Sequence, residues 1–262
     1  GGSERDGYEN VGANAKLLID VTDAFGIDLR AYYSNGETDI DGFPPPDFSF
    51  GDTRERSETE EFVGYAGVNL ALFDGRFRNR LGFAYTDTDR SSRDPDGFVE
   101  VTFAGRGKNE RFEYQGVFTA SERLDFIVGA ETETSRYTTT SYGGPESRAS
   151  TGIDSLYGQV SFAPVDGLRL TGGVRHDEHD DFGGETTFAA SGVFSPNGGA
   201  TQLRASYGEG FKAPSLFQLF SDFGNQTLQP ETSKSYDIGV MQRLLDGRMQ
   251  LGATWFRRDT RD

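Results

Sequence analysis

Cysteine is absent from this sequence of 262 residues, and its absence excludes several kinds of site. Without thiols the chain can form no disulfide framework, no thiolate-bound metal centre and no cysteine nucleophile. Histidine is nearly as scarce, because the only two, His176 and His179, stand in one acidic stretch. Since no serine elbow motif accompanies them, the sequence disfavours a hydrolase.

Long apolar runs are also missing. No stretch of about 18 apolar residues occurs, so the sequence predicts no transmembrane helix. Hydrophobic residues make up 34% of the chain, which is low for a packed globular core, whereas glycine reaches 35 residues and aromatics 13%. Half-buried strands use aromatic side chains on a pleated face and glycine at close approaches, so this composition favours β structure over a helical bundle.

Positive charge is in short supply, because 26 Lys and Arg stand against 42 Asp and Glu, for a formal net charge of −16. Such a chain repels nucleic acid, so we expect no DNA or RNA partner. The acidic excess is typical of solvated loops, and divalent-cation binding is the alternative. The terminal residues Gly1 and Asp262 look like cut ends, which predicts a piece of a longer polypeptide.

Six short turn signals punctuate the chain. Their Asp-Gly and Asn-Gly pairs supply the positive φ angles that tight hairpins require. Longer polar stretches separate the turns, and we expect them to be loops. The short turns are residues 22–26, 73–76, 121–123, 164–167, 196–199 and 245–248, and the polar stretches are 34–58, 87–97, 138–150, 177–184 and 208–230.

Strands that alternate between apolar and polar residues flank each turn. Before the second turn Phe62, Ala66 and Leu70 share one face, and after it Leu81 and Phe83 do the same. Such alternation over about 8 to 10 residues is the signature of a strand. About twelve strands of about nine to eleven residues match the length needed to cross a bilayer. We therefore predict an all-β, transmembrane, antiparallel up-and-down β-barrel, with its polar face to the lumen and its apolar face to lipid.

A soluble β-sandwich or β-propeller is the alternative architecture. The strands of such proteins are shorter, about five or six residues, and a propeller repeats every 40 to 50 residues or so. No repeated sequence accompanies the turns here. Aromatic residues at strand ends also fit the girdles of a membrane barrel, namely Tyr33, Tyr85, Phe194 and Tyr207.

The most specific segment lies between residues 205 and 239. Pro214 is expected to end a strand, because it has no amide hydrogen and restricts the residue before it. Residues 216–220 can form a brief turn of helix, and Pro230 and Glu231 open the next strand. On the residues alone this is a structural loop at the extracellular rim, with direct ligand contact as the alternative.

This segment resembles TonB-dependent outer-membrane receptors, in particular their cobalamin-receptor-like branch. Stretches similar to barrel strands of that branch occur at 63–70, 109–116 and 172–177, so the resemblance covers most of the chain. The family landmarks appear in order as Gly210-Phe211-Lys212-Ala213-Pro214, Leu216-Phe217, Gly224-Asn225 and Leu228-Gln229-Pro230-Glu231.

The resemblance implies that residues 1–262 are a partial barrel domain, about twelve strands of a 22-stranded barrel, with no plug domain in this sequence. It implies active import of a scarce ligand, either vitamin B12 or another corrinoid or a ferric siderophore, across the bacterial outer membrane. The implied partners are outer-membrane lipid, the receptor's own plug and through it the TonB complex, and a small-molecule ligand. A passive porin-like channel is the alternative, and a barrel enzyme is a lesser one. We expect no catalytic residue.

In this family the ligand binds at the extracellular face, between loops and plug. Inward-facing arginines of the wall would contact the plug or water, and we name Arg78, Arg80, Arg169 and Arg204. The candidate ligand-contacting loop residues are Phe43, Asp47, Phe50, Phe217 and Phe220.

Calcium is the one cofactor that the sequence suggests. The first polar stretch holds a set of oxygen donors of the kind that suits calcium, namely Asp39, Asp41, Asp47 and Asp52. The resemblance adds weight, because cobalamin receptors of the family order their loops with calcium. A second metal site at His176 and His179 is conceivable, but residues three apart on a strand face opposite ways, so we expect a solvated strand end there.

Overall fold

The computed structural model describes residues 7–44 and 46–261, so Pro45 of the proline run and both chain ends lie outside the described residues. Within that part, twelve antiparallel strands form one sheet in sequence order. A five-residue helix, α1 (Leu216–Phe220), precedes β11. The strands are β1 (Tyr8–Thr22), β2 (Phe25–Gly42), β3 (Gly51–Leu72), β4 (Phe77–Arg93), β5 (Val101–Ser121), β6 (Leu124–Ser141), β7 (Ser147–Val165), β8 (Leu168–His179), β9 (Gly183–Phe194), β10 (Thr201–Lys212), β11 (Glu231–Leu244) and β12 (Met249–Arg261).

The predicted fold class is confirmed, and so are all six short turns. At three of them, three consecutive residues adopt positive φ: Phe73, Asp74 and Gly75 at 53°, 55° and 82°, residues 197–199 at 56°, 63° and 85°, and residues 245–247 at 54°, 53° and 85°. Each of these runs contains an Asp-Gly or Asn-Gly pair and ends in glycine, which enters this region without steric cost. The Asp-Gly signal in the sequence therefore marks hairpin corners, as predicted.

The predicted strand lengths are wrong, because the strands run from 12 to 22 residues. The polar stretch 34–58 was expected to be a loop, yet β2 continues to Gly42 and β3 begins at Gly51. Backbone ladder hydrogen bonds hold such extensions together, and both of their faces can be polar. Apolar alternation fades there, which is why the pattern in the sequence ends before the strands do.

The two faces of the sheet differ in polarity along the half nearest the short turns. We call the face that carries Phe62, Leu70 and Phe83 the outer face. On β3 its apolar residues extend from Leu72 to Phe62, about 33 Å along the strand at about 3.3 Å per residue. Beyond Phe62 the outer residues become charged. With a strand tilt near 45°, this gives an apolar band of about 25 Å, the height expected for a membrane barrel.

Aromatic residues border the charged edge of this band, as predicted. Tyr207 and Tyr236 lie side by side on neighbouring strands with ring centroids 5.1 Å apart, and Phe62 and Tyr85 lie 6.3 Å apart. Phe194 borders the opposite edge, beside the turn at 196–199. Tyrosine and phenylalanine at both edges match the aromatic girdles of membrane barrels.

Almost no core exists inside the described chain. Its only buried hydrophobic side chains are Leu216 and Leu219, both in α1. Many large apolar side chains of the outer face, such as Leu81 and Phe112, are more than half exposed. No helix among residues 7–44 and 46–261 is long and apolar enough to span a membrane.

Candidate functional site

The face opposite the apolar band, which we call the inner face, carries a network of charged and tyrosine side chains. Tyr65 is one centre of it. Arg80 donates from Nε to the Tyr65 hydroxyl at 2.7 Å, and the guanidinium groups of Arg80 and Arg30 lie 4.9 and 5.4 Å from its ring centroid. The ring lies flat over glycines, because a Cβ at Gly82 would come within 2.5 Å of the hydroxyl and one at Gly67 closer still. Two glycines and two arginines thus fix Tyr65.

A second centre surrounds Arg175 of β8. Its Nη2 contacts Glu131 at 2.9 Å and Ser155 Oγ at 2.8 Å, and its Nε contacts Asp177 at 2.7 Å. Ser155 donates to Asp177 at 2.6 Å, and both of these residues are buried. One cation therefore holds two carboxylates on β6 and β8, across the intervening β7.

Tyr157 connects this centre to β5. Arg175 lies 5.7 Å from the Tyr157 ring centroid, and Gln115 donates to the Tyr157 hydroxyl at 3.1 Å. A Cβ at Gly129, directly opposite on β6, would overlap the ring. Tyr157 therefore repeats the arrangement of Tyr65: an inward tyrosine lies flat on a glycine and under an arginine.

Farther from the short turns, helix α1 packs on the same inner face. Strand β10 ends at Lys212, two residues before Pro214, as predicted. Ser215 then caps the helix, because its hydroxyl accepts from the Gln218 amide while the Gln218 side chain accepts from the Ser215 amide. This is a capping box, which satisfies free amide groups at a helix start.

The helix reaches across several strands to its contacts. Although α1 follows β10, it packs on β6 and β7, and the Phe217 ring lies edge-on to Phe103 and Tyr137 at 6.5 and 6.0 Å. Ser147 donates to the backbone carbonyl of Phe220 at 2.9 Å. Burial raises the pKa of the Tyr137 hydroxyl, which lies on this extension beyond the apolar band. The segment after β10 thus covers part of the inner face.

A cavity of about 490 Å³ lies between α1 and the wall formed by β4 to β8. Asn109 donates from Nδ2 to Glu133 at 2.7 Å and to Ser135 at 3.0 Å in its lining. A volume of this size is within the usual range for small-molecule pockets, about 300 to 1,000 Å³. Its polar lining includes Thr86, Thr88, Asn109, Glu133, Ser135 and His179.

The predicted ligand-loop residues fall into two separate groups. Phe217 lines the cavity and Phe220 anchors α1 through its carbonyl. Phe43 and Phe50 instead contact each other, with ring centroids 5.5 Å apart, on the exposed loop between β2 and β3, where Asp47 also lies. Among the family landmarks, Gly210, Phe211 and Lys212 close β10, Ala213 and Pro214 lead into α1, Leu228 and Pro230 precede β11, and Glu231 begins it.

The four aspartates predicted to bind calcium are spread over two strand ends and the loop between them. Asp39 is already engaged, because Arg56 contacts it at 3.0 Å and the Gly7 amide donates to it at 3.1 Å. Asp41 fits a cation better, since its buried Oδ1 has no hydrogen-bond partner among the described residues. Across those residues no three acidic or histidine side chains form a metal-ligand group. Calcium binding by Asp39, Asp41, Asp47 and Asp52 stays a prediction.

The two histidines point to opposite faces of β8, as the strand period predicts. His176 lies on the outer face and contacts Thr186 at 2.8 Å. The expectation of a solvated strand end is wrong for His179, which is buried beside Phe182 with ring centroids 5.1 Å apart. The folding back of the 180–182 corner over the ring, which local sequence does not reveal, accounts for this burial.

The four predicted arginines all lie on the inner face, yet three of them contact side chains of other strands. Arg80 contacts Tyr65, Arg169 contacts Ser161 at 3.1 Å, and Arg204 contacts Thr254 at 2.7 Å. Sequence reasoning missed Tyr65, Tyr157 and Arg175. The usable signal was an inward tyrosine with glycine at the cross-strand or next same-face position, because such glycines make room for the ring.

Comparisons with known proteins agree with this architecture. The family model described as TonB dependent receptor-like, beta-barrel matches residues 3–262. The vitamin B12 transporter BtuB of Photobacterium profundum is 27% identical over 250 residues, which are 92% of this chain and 38% of that protein.

Two solved structures show the same fold. The siderophore receptor PirA from Acinetobacter baumannii superposes with a TM-score of 0.81 at 17% identity, over 98% of this chain and 44% of that one. A mutant of the ferric enterobactin receptor PfeA from Pseudomonas aeruginosa gives 0.80 at 18% identity, over 98% and 43%. This chain therefore spans less than half the length of these relatives.

Proposed function

Because the chain belongs to the TonB-dependent receptor family, whose barrels are outer-membrane proteins, we propose that it forms part of the wall and mouth of a receptor that actively imports a scarce ligand. The ligand is a corrinoid or a ferric siderophore. The observation that carries the proposal is the cavity of about 490 Å³ that α1 covers on the inner face. A passive wall has no need of such a covered recess.

The outer face supports placement in the outer membrane. Its apolar band of about 25 Å, bordered by tyrosines and phenylalanines, fits the hydrocarbon layer and its interfaces. Lipid then covers side chains such as Leu81 and Phe112 that the chain itself leaves exposed. Strand extensions beyond the band, up to the loop at 43–50, project on the extracellular side.

The inner face supports a plug as a partner. Its charged groups, including Glu113, Glu131 and Arg175, suit contact with a polar protein domain or water, and a plug of the same receptor would pass the force of the TonB complex to the ligand site. Since no hydroxyl on the inner face hydrogen-bonds a histidine among the described residues, we propose transport and no catalysis.

The names of relatives supply the ligand classes to test. One relative is named as a vitamin B12 transporter and two structural neighbours as siderophore or ferric enterobactin receptors. Purified intact receptor should bind one of these classes saturably, with a Kd near the nanomolar range or below, measured by calorimetry with cyanocobalamin, a ferric catecholate and a ferric hydroxamate. Absence of saturable binding to all three would favour a passive channel.

We also propose calcium as an ordering ion for the 39–52 segment. Calcium titration of the intact receptor by calorimetry should release or absorb heat that Asp41→Asn removes, because the Asp41 carboxylate has a free buried oxygen. Asp74→Asn, in a short turn at the far end of the strands, is the matched control and should leave the heat unchanged. No heat above buffer in the unaltered receptor would end this proposal.

A further inference from the structure

The cavity under α1 offers more hydrogen-bond acceptors than donors. Asn109 uses its amide N–H groups on Glu133 and Ser135, at 2.7 and 3.0 Å. Glu133 is an acceptor when ionised, so this contact fixes which end of the Asn109 amide faces it. The Asn109 carbonyl oxygen and the second Glu133 oxygen then make no hydrogen bond among the described residues. Both are acceptors.

The charge on the inner face of the cavity is negative. Glu133 is the charged side chain that lies on the inner face of its lining. Lys108 and Arg136 border the cavity too, but both alternate to the outer face, where Lys108 lies 3.7 Å from Asp87 and Arg136 lies 2.9 Å from Glu110. Among the described residues that line the recess, none is therefore an inward cation. Arg111, opposite Glu133 in the β5–β6 register, faces inward outside the lining and contacts Glu113 at 3.4 Å.

His179 adds a single donor to this set. Its Nδ1 accepts from the Asp181 amide at 3.1 Å, so the neutral ring carries its proton on Nε2. The ring is buried and lines the cavity. The hydroxyls of Thr86 and Thr88 can donate or accept, and they adapt to either partner.

From this chemistry we infer that the cavity is a subsite for an uncharged, amide-bearing part of the ligand, with Asn109 and Glu133 as its specificity-determining residues. Primary amides present two N–H donors to the paired acceptors and a carbonyl to the His179 donor. Polyanions such as ferric catecholates meet an unpaired carboxylate instead, and burying like charges together is costly. The inference rests on the proposed import function and narrows its ligand to the corrinoid class, whose rim carries primary amides.

Helix α1 covers the cavity and limits which part of a ligand can enter it. The apolar underside of the helix, with Leu216 and Phe217, faces a polar wall, so a bound group lies between a flat hydrophobic roof and a row of acceptors. At about 490 Å³ the cavity admits part of a large ligand. The remainder of such a ligand would extend from the recess toward the lumen.

The test compares affinities of the purified intact receptor for cyanocobalamin and for its derivative in which one primary amide is hydrolysed to a carboxylate. Asn109→Leu and Glu133→Gln each remove one acceptor and should weaken cyanocobalamin binding about tenfold, equivalent to about 1.4 kcal/mol. Asp125→Asn, on the inner face near the short turns, is the matched control and should bind as the unaltered receptor does.

Comparison of the neutral ligand with its carboxylate derivative separates a loss of ligand recognition from a loss of folded structure. In the unaltered receptor the carboxylate derivative should bind more weakly than cyanocobalamin, and Glu133→Gln should narrow that gap. Thr88→Trp fills the recess without altering its charged groups and should also weaken binding. Migration of the unheated barrel on detergent gels checks that each variant is folded.

Unchanged affinity in Asn109→Leu, Glu133→Gln and Thr88→Trp would overturn the subsite. So would a ferric catecholate that binds more tightly than cyanocobalamin. If cyanocobalamin binds and enters cells under TonB control while these variants behave as unaltered receptor, the subsite fails and the import function stands. If no ligand of either class binds, the proposed function fails as well.

Discussion

The inner faces of strands β2 to β8 and of β9 to β12 are built differently. On β2 to β8, long side chains such as Arg80, Glu131 and Arg175 connect different strands, and tyrosines lie flat on glycines. On β10 to β12 the described chain shows four cross-strand side-chain contacts between inner residues, and none of them joins two charged groups: Arg204–Thr254, Ser206–Asp237, Gln250–Met241 and Arg258–Ser233. Small residues occupy most of that second region, including Ser191, Gly208, Gly210, Ser235, Gly239 and Gly252.

This difference indicates that the two regions of the sheet have different roles. Cross-linked charges fix the shape of the wall at β2 to β8, where the α1 cavity lies. Small side chains at β9 to β12 leave room on the inner side for whatever fills the lumen, which in our account is the plug. The segment that roofs the cavity also starts in this open region, at the end of β10, and packs against the cross-linked one.

Arg175→Met should have the largest effect on the stability of the cross-linked region. The substitution keeps the length of the side chain but leaves Glu131 and Asp177 without their cation, so we expect a loss of about 2 kcal/mol in unfolding free energy of the intact receptor. Because this guanidinium is partly solvated, the loss is below that of a fully buried pair. Arg204→Met in the open region should cost about 0.5 kcal/mol or less. Equal losses in a denaturant titration would contradict the division.

Gly129→Ala tests the flat seating of Tyr157. A Cβ there overlaps the ring, which must tilt away from Arg175 and Gln115, and we expect a loss of about 1 to 2 kcal/mol. In the open region Gly252→Ala places its Cβ 3.7 Å from the Val240 carbonyl oxygen, an ordinary contact. The thermal unfolding temperature of Gly129→Ala should therefore be lower than that of Gly252→Ala. Gly252→Ala should unfold close to the temperature of the unaltered receptor.

Tyr65→Phe sharpens the account of the first centre. The ring stays on Gly67 and Gly82, while the hydroxyl that accepts from Arg80 at 2.7 Å is lost. We expect a loss of about 1 kcal/mol, the usual net contribution of one such hydrogen bond. Tyr65→Ala should cost more, because the ring contacts go too. A Phe variant as unstable as the Ala variant would show that the hydroxyl carries the whole effect.

Acid sensitivity should appear only at low pH. Arg106 hydrogen-bonds Asp87 on the strand extension and lowers its pKa from 3.8 to about 2. Since this pKa is lower in the folded state, protons favour the unfolded state: the contribution of Asp87 is complete above pH 4 or so and is lost as the pH falls to about 2. Asp87→Asn should make stability less dependent on pH in that window. An unchanged acid profile would refute this linkage.

Much of the fold was predictable because the turn residues and the apolar alternation indicate the same strands. The Asp-Gly corners at 74–75 and 246–247 fix hairpins locally, and the alternation on β3 and β4 fixes which face is apolar. Strand ends were not predictable, since between Ser34 and Glu58 both faces are polar and only the cross-strand ladder marks the strand. That ladder depends on the partner strand and leaves no local pattern.

The site was predictable only where its signal is local. Pro214, Ser215 and the apolar residues after them predict a short helix, which the structure confirms. Phe217, one of the candidate ligand-loop residues, lines the cavity, and its contact with ligand stays a prediction. Asn109 and Glu133 are separated by 24 residues and meet only because of the register between β5 and β6. The same holds for Glu131 and Arg175, which are joined across β7.

Uptake of labelled cyanocobalamin by cells that carry the intact receptor, with and without a functional TonB complex, tests the central claim most directly. Our account predicts saturable uptake that depends on TonB and falls when Asn109→Leu alters the recess under α1. Equal uptake in cells with and without TonB would contradict it, because the wall described here would then belong to a passive channel.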